Sequence, residues 1–266
     1  MKKFAKVYLA LVMMFLYVPI FVLIVFSFNT TKSRSVMSGF TFDWYIKLFK
    51  NEIIMSSLMN TIIIAVLASI VSTILGTAAA VGIKNMKKVP KAIVLNITNF
   101  PIINPEIVTG VSLMLLFVFF AARMNFEFGF VTLLIAHITF DVPYVILNVM
   151  PKLNQMDPFL YEAAQDLGCN PFKAFFKVVL PEIMPGVVSG FLISFTFSLD
   201  DFIISYFTCG SSMQTLPVTI YSMTRRKVSP EINALSTIIF LTVVVILVIK
   251  NIIEIKSNAN EKGERR

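Results

Sequence analysis

Long apolar runs alternate with short polar segments along this chain, and the runs have the length of bilayer-spanning helices. Such a helix needs about 20 apolar residues. Six stretches meet that need, at about 7–28, 58–83, 92–121, 128–150, 186–207 and 232–253. The first follows Lys2, Lys3 and Lys6 and starts like a signal peptide. It runs too long and lacks a small-x-small cleavage site, which predicts a retained signal anchor. The polar segment 29–56 contains FDWYIKLFKN, where Asp43 can cap a short amphipathic helix. The second run ends in GTAAAVG and the fifth begins GVVSG, small-sided faces that suit close helix contact. The third is broken by Pro101 and by Asn104-Pro105-Glu106. A break at membrane depth is tolerated only against protein or a water-filled cavity. The expectation is an all-α integral membrane protein with six transmembrane helices in one domain, 1–266. There is no internal repeat, low-complexity tract or second soluble domain.

The apolar pattern is interrupted most sharply at 157–186, DPFLYEAAQDLGCNPFKAFFKVVLPEIMPG. Its grammar is two short helices and a tight turn. Asp157 suits an N-cap and Pro158 the first helical position, where its missing N–H would be unpaired anyway. Gly168 can take the left-handed conformation that closes the first helix. Asn170 and Pro171 repeat the start signal, and Pro181 is expected to end the second helix. Leu160, Ala163, Ala164 and Leu167 form a narrow, small-sided stripe beside Glu162 and Asp166. Phe172, Phe175, Phe176 and Val179 form the second stripe. A helix of the first kind fits a partner's cleft.

Composition agrees with a polytopic membrane protein: 57% hydrophobic and only 14% charged residues, with a mean hydropathy of +0.82. The net charge of +8 needs no nucleic acid, because Lys and Arg accumulate on the cytoplasmic side of membrane proteins. With the N-terminus inside, fifteen of the 23 basic residues fall on inner segments. That orientation puts both termini and 157–186 in the cytoplasm. The Arg225-Arg226-Lys227 cluster runs against the trend, and nothing in the sequence accounts for it. Cys169 and Cys209 are expected on opposite sides of the bilayer, too far apart for a disulfide. His137 is the only histidine, which argues against a membrane metalloenzyme. HExxH, GxSxG and P-loop patterns are missing, so any ATPase is another chain.

Ionisable groups within spans are costly and usually face a pathway. Glu106, Asp141, Asp200 and Asp201 are all acidic, and no lysine or arginine lies mid-span to neutralise them. That pattern asks for a cationic substrate. Two readings stand for Asp141 and for one of the Asp200/Asp201 pair: a place on the pathway, or a cap or bridge between helices. Trp44 is either an interfacial anchor or an aromatic face for an ammonium group. His137 reads as a packed, hydrogen-bonded residue rather than a proton relay.

Glu162-Ala163-Ala164, then Gly168, then Val178-x-Leu180-Pro181 resembles the EAA loop of ABC-importer permeases, with valine at 178 in place of the usual isoleucine. The runs HITFDVPYVILNV, FSLDDFIISYFTCG, LPVTIYSM and VSPEINAL extend the resemblance over essentially the whole chain, to the PotC-type permease subunits of spermidine/putrescine importers. The resemblance implies the type I importer permease fold with a cytoplasmic EAA coupling helix, and a place in the bacterial inner or plasma membrane. It implies ATPase coupling through Glu162, Ala163, Ala164, Gly168, Leu180 and Pro181. It marks Trp44, Glu106, Ser198, Asp200 and Asp201 as residues of polyamine uptake; Asp141 joins them on charge alone. Glu106 stands where aspartate is common. Pro171 stands where some relatives carry a carboxylate, which puts a charge role there in doubt. The implied partners are a second, PotB-type permease, a PotA-type ATPase dimer that binds ATP and Mg²⁺, and a PotD-type extracytoplasmic binding protein. No cofactor or metal is expected in this chain, and no catalytic residue.

Three rivals are set against this reading. An importer permease for ferric iron or an aminophosphonate would share the EAA loop without needing the Asp200-Asp201 pair. A lipid-modifying membrane enzyme would need catalytic residues grouped at one depth. A non-transporting membrane scaffold would not hold an ATPase through Glu162 and Gly168.

Overall fold

The computed structural model describes residues 2–31, 36–124, 126–157, 159–211, 213–226, 230–241 and 244. The described residues are helical throughout apart from turns, loops and one isolated bridge, Asn29 to Phe40. Among the described residues, five helical stretches are long and apolar enough to cross a membrane: Lys6–Ser27, Glu52–Lys84, Glu106–Met124, Phe130–Gln155 and Pro171–Asp200. Chain contacts divide the protein into two units, 1–55 with 220–266, and 56–219.

In the first unit, α1 (Lys2–Ser27) keeps Pro19 inside the helix. It buries none of its apolar window against protein, so that surface is left for lipid or another subunit. The following loop is organised by Asn29. Its amide donates to the carbonyl of Val36 (2.8 Å) and its side-chain oxygen accepts from the Ser38 N–H (2.9 Å). Around this hub Phe28 stacks on Phe40 and meets Phe42 edge-on. The amphipathic helix expected near Asp43 is α2 (Asp43–Lys50), with Asp43 in its first turn rather than at its cap, which is Phe42. The predicted sixth span is represented by a shorter apolar helix, Pro230–Leu241. The rest of 232–253 falls mostly, and Lys227 and the charged tail wholly, outside the described residues, as does Pro158.

The second unit holds most of α3 (Glu52–Lys84), α4 (Lys88–Ile103), α5 (Glu106–Met124), α6 (Phe130–Gln155), α7 (Phe159–Asp166), α8 (Pro171–Ala174), α9 (Leu180–Asp200), α10 (Ile203–Thr208) and the start of α11 (Leu216–Arg226). The antiparallel pair α6 and α9 is its centre. Small residues set the approach. A Cβ on Gly190 would lie 3.2 Å from Val145, and one on Gly186 2.8 Å from the Asn148 carbonyl. From α3, a Cβ on Gly76 would lie 2.6 Å from the Val145 Cβ. The GVVSG and GTAAAVG faces therefore do meet α6. Ala80, Ile83, Val145, Val149, Leu153, Val179 and Ile183 make the buried core at this end.

Three expected boundaries move. The third run, 92–121, is two helices: Pro101 lies inside α4, and the chain breaks only at Asn104-Pro105. A proline within a helix removes one bond, whereas Asn104 is extended (φ −77°, ψ 138°), the conformation a following proline favours. The fifth run does not begin at Gly186 and end at Phe207. It is helical from Pro171 to Asp200 and breaks at Asp201. Pro181 does not end the EAA helix either. A π turn, Phe175–Val179, precedes it, and the Leu180 N–H reaches back five residues to the Phe175 carbonyl. The wider turn lets the helix pass the proline, whose ring and missing N–H disturb the turn before it.

Candidate functional site

Two helix breaks place carboxylates at one level. Glu106 opens α5, where an acidic residue complements the positive end of the helix dipole. One turn on, Gly110 lies against α10, since a Cβ there would be 3.0 Å from the Phe207 ring and 3.5 Å from the Ile203 carbonyl. Glu106 is thereby carried to the α9–α10 break, within electrostatic reach of both Asp200 and Asp201. Glu106 and Asp200 are exposed. Neither makes an ion pair with a lysine or arginine among the described residues.

The adjacent aspartates have different surroundings. The Asp201 side chain is only 5% exposed. Its two oxygens accept the backbone N–H groups of Ile204 (3.2 Å) and Ser205 (2.7 Å), capping α10. Asp201 also lies 3.5 Å from His137 Nε2. Asp200, by contrast, is exposed and makes no ion pair with a lysine or arginine among the described residues. Of the pair, Asp201 is the cap.

Behind the break, His137 on α6 is buried. Its Nδ1 is 2.6 Å from the hydroxyl of Ser198 on α9, and its Nε2 is 3.0 Å from that of Ser205 on α10. One imidazole thus ties three helices together, in keeping with the packed reading. One rung deeper, Asp141 is fully buried and neither carboxylate oxygen has a hydrogen-bond partner. The rungs are regular: His137 meets Ser198 and Val145 meets Gly190. Asp141 therefore sits level with Ser194, whose buried hydroxyl is also unpartnered.

Trp44 belongs to the other unit and is 6% exposed. Its indole N–H donates to the Asn29 carbonyl (2.6 Å), and Lys47 Nζ lies 4.6 Å from the ring centroid. Packing and a resident cation already engage this ring.

At the other end of α9, the EAA segment has the expected signals. The Asp157 carboxylate accepts from Phe159 N–H (2.9 Å) and the Asn170 side chain from Lys173 N–H (2.8 Å). Gly168 has φ +85°. Ala164 points inward, while Glu162, Ala163 and Gly168 are exposed and Leu167 is 87% exposed. Leu180 is half-buried against the core, and Pro181 is exposed. The second stripe is split by the π turn: Phe175 and Val179 pack inward, while Phe172 is 73% exposed and Phe176 49%. A cavity of about 810 Å³, bordered by Lys84, Leu153, Tyr161, Glu162 and Phe175, lies beneath the segment. Lys84 Nζ donates to the Leu153 carbonyl near the end of α6, a favourable place for a cation.

Sequence reasoning missed Ser205 and the tie through His137. Their signal was weak: serines within four residues of Asp201 and a lone histidine acquire meaning only from the pairing of α6 with α9. The division of labour gives a test. Asp201→Ala is expected to destabilise the assembled protein by about 1–2 kcal/mol through loss of the α10 cap. Asp201→Asn, which keeps an acceptor oxygen, should lose less. Thermal unfolding in detergent distinguishes the two.

Three comparisons with known proteins bear on the chain's family and fold. The family model described as "Binding-protein-dependent transport system inner membrane component" matches residues 72–255. The chain is 39% identical over 229 residues to an Escherichia coli (strain K12) protein, "Putrescine transport system permease protein PotI", covering 85% of this chain and 81% of that one. It is 36% identical over 244 residues to "Spermidine/putrescine transport system permease protein PotC" of Haemophilus influenzae, covering 92% and 93%. Among solved structures, a chain of a bacterial ABC transporter that imports the acidic polysaccharide alginate superposes with a TM-score of 0.70 over 95% of both chains, at 13% identity. That last likeness bears on the fold.

Proposed function

Because the chain belongs to the binding-protein-dependent transport system inner membrane component family, we propose that it forms one half of the membrane pore of an ATP-driven polyamine importer. It is a multi-pass inner-membrane permease component. The observation that carries the substrate reading is the exposed pair Glu106 and Asp200, brought together by two helix breaks without a lysine or arginine partner among the described residues. Uncompensated carboxylates at membrane depth attract cations. Putrescine and spermidine carry ammonium groups separated by methylene chains, so spaced carboxylates can replace water around each charge in turn. The names of the polyamine permeases reported above support the same substrate class.

The remaining parts follow from that reading. A second, related permease completes the pore, an ATPase dimer binds ATP and Mg²⁺, and an extracytoplasmic binding protein delivers the polyamine. Both termini and the EAA segment face the cytoplasm. The exposed face of α7 with Glu162 and Ala163, and Leu167 just after it, docks in a cleft of the ATPase. Closure of the ATPase dimer moves α7, and the continuous helical run from Pro171 carries that movement to Asp200. This chain binds and positions the cation and performs no covalent chemistry.

The decisive experiment is uptake of radiolabelled spermidine by vesicles holding the four-component complex, with and without ATP. ATP-dependent accumulation that unlabelled putrescine competes away is expected. ATP hydrolysis without polyamine uptake would move the substrate to another class, ferric iron or an aminophosphonate among them. The coupling role has its own test. In Gly168→Val the added Cβ itself meets nothing within 4 Å. The substitution does force a β-branched residue to φ +85°, at a cost of about 1–2 kcal/mol. Co-purification with the ATPase should fall while membrane insertion is retained; unchanged co-purification would count against docking through α7.

A further inference from the structure

The acidic cluster has an aromatic neighbour that the sequence did not single out. Tyr144 lies on α6 three residues beyond Asp141, on the same face of the helix. It is within electrostatic reach of both Glu106 and Asp141. Its ring meets Phe197 of α9 edge-on at 4.6 Å between centroids, and Phe140 completes a triangle of rings, 5.3 Å from Tyr144 and 6.3 Å from Phe197. Phe140 is buried, whereas Phe197 is 37% exposed and Tyr144 half-buried. Phe197 lies three residues before Asp200 on α9, so its exposed edge shares a helix face with that carboxylate. A carboxylate on that face is too costly to face hydrocarbon, so the same face is a water-lined or substrate-lined one.

We propose that Tyr144 and Phe197 form the aromatic wall of the cation path, with Tyr144 standing between an outer ammonium subsite at Glu106 and Asp200 and an inner one at Asp141. This rests on the polyamine reading above and adds to it the residues that hold the methylene linkers. Three observations converge on it. The phenol is within electrostatic reach of one outer carboxylate, Glu106, and of the inner one, Asp141, three residues before it on α6. The ring faces suit an alkylammonium ion, whose charge is drawn to the π cloud and whose methylenes are apolar. Asp141 is a buried carboxylate with both oxygens unpartnered, directly behind the pair. Trp44, the aromatic residue expected at the pathway, already carries Lys47 over its ring.

The test is the kinetics of spermidine uptake by the assembled complex in vesicles, with Tyr144→Leu, Phe197→Leu and Tyr144→Phe. The leucine variants should raise KM about five- to tenfold. Tyr144→Phe, which keeps the ring, should stay within about twofold of wild type. A diamine series of increasing chain length should lose its length preference in Tyr144→Leu. Unchanged KM and length preference in both leucine variants would overturn the proposal. If Tyr144→Leu does not assemble, the more exposed Phe197→Leu decides the matter by the same criteria. Absence of polyamine uptake by the wild-type complex would instead remove the underlying substrate reading.

Discussion

Asp200→Asn should reduce spermidine uptake by about 30- to 150-fold while leaving the complex assembled and able to bind ATP. The size follows from removing one charge-assisted contact to an ammonium group, worth about 2–3 kcal/mol. The selectivity follows from the surroundings. Asp200 is exposed and closes α9, while the N–H groups of α10 are held by Asp201, so neutralising Asp200 leaves the packing in place. Asp201, one residue on, holds the α10 N-terminus and stands beside His137. Its asparagine variant should lose far less uptake than the Asp200 variant, and its alanine variant should lose stability first. Replacing both with asparagine should abolish uptake in an assembled, ATP-binding complex. Rate measurements in reconstituted vesicles, normalised to the amount of complex, separate these cases. Normal uptake by the double variant would exclude the carboxylates at the α9–α10 break from the cation path.

Gly210→Val should prevent stable assembly altogether. Gly210 has φ +70°, and a Cβ there would come to 2.3 Å from the Phe128 carbonyl oxygen and 2.6 Å from its carbon. The obstacle is backbone and cannot rotate away. Left-handed strain and overpacking together amount to roughly 3 kcal/mol or more. The damage would spread, because this turn joins α10 to the start of α6. There the Thr132 hydroxyl accepts from Gly129 N–H (2.9 Å) and donates to the Thr208 carbonyl (2.8 Å). Gly82→Ala is the matched control: it lies within α3, its Cβ would meet nothing within 4 Å, and helix propensity favours alanine by about 0.5–1 kcal/mol. Size-exclusion profiles of detergent-solubilised complex should collapse for the first variant and stay intact for the second.

Much of the helical layout was legible because its causes are local. Apolar length marks spans, and Asp157, Gly168 and Asn170 act through contacts within a few residues of themselves. The errors share a cause as well. Pro181 stops an isolated helix, but here a π turn and burial of Val179 and Ile183 in the core carry the helix past it. Pro101 was given the same weight as Asn104-Pro105, although only the latter breaks the chain. The site was half legible. Charge within apolar runs pointed to Glu106, Asp141, Asp200 and Asp201. It could not say that Asp200 would be open and Asp201 engaged, because that depends on where α10 begins. Tyr144 and Phe197 lie 53 positions apart and looked like ordinary span residues; only the α6–α9 pairing makes them one surface.

The π turn also fixes a rotational setting. A turn of this kind holds one residue more than an α-helical turn, and each residue in a helix advances the azimuth by about 100°. Pro171–Asp200 is a rod of 30 residues, about 45 Å long at α-helical rise. The wide turn absorbs its extra residue within one turn, so the helix keeps its direction across Pro181 while Gly186 and Gly190 are seated on α6. Deleting one residue from the α-helical stretch 182–185, which has no wide turn to absorb the change, would swing α7 and α8 by about 100° around the rod, away from any fixed receptor. Adding one there would misalign it in the opposite sense. Between Pro181 and Gly186, segment length is therefore constrained more tightly than residue identity, and substitutions there should be tolerated far better than single-residue insertions or deletions.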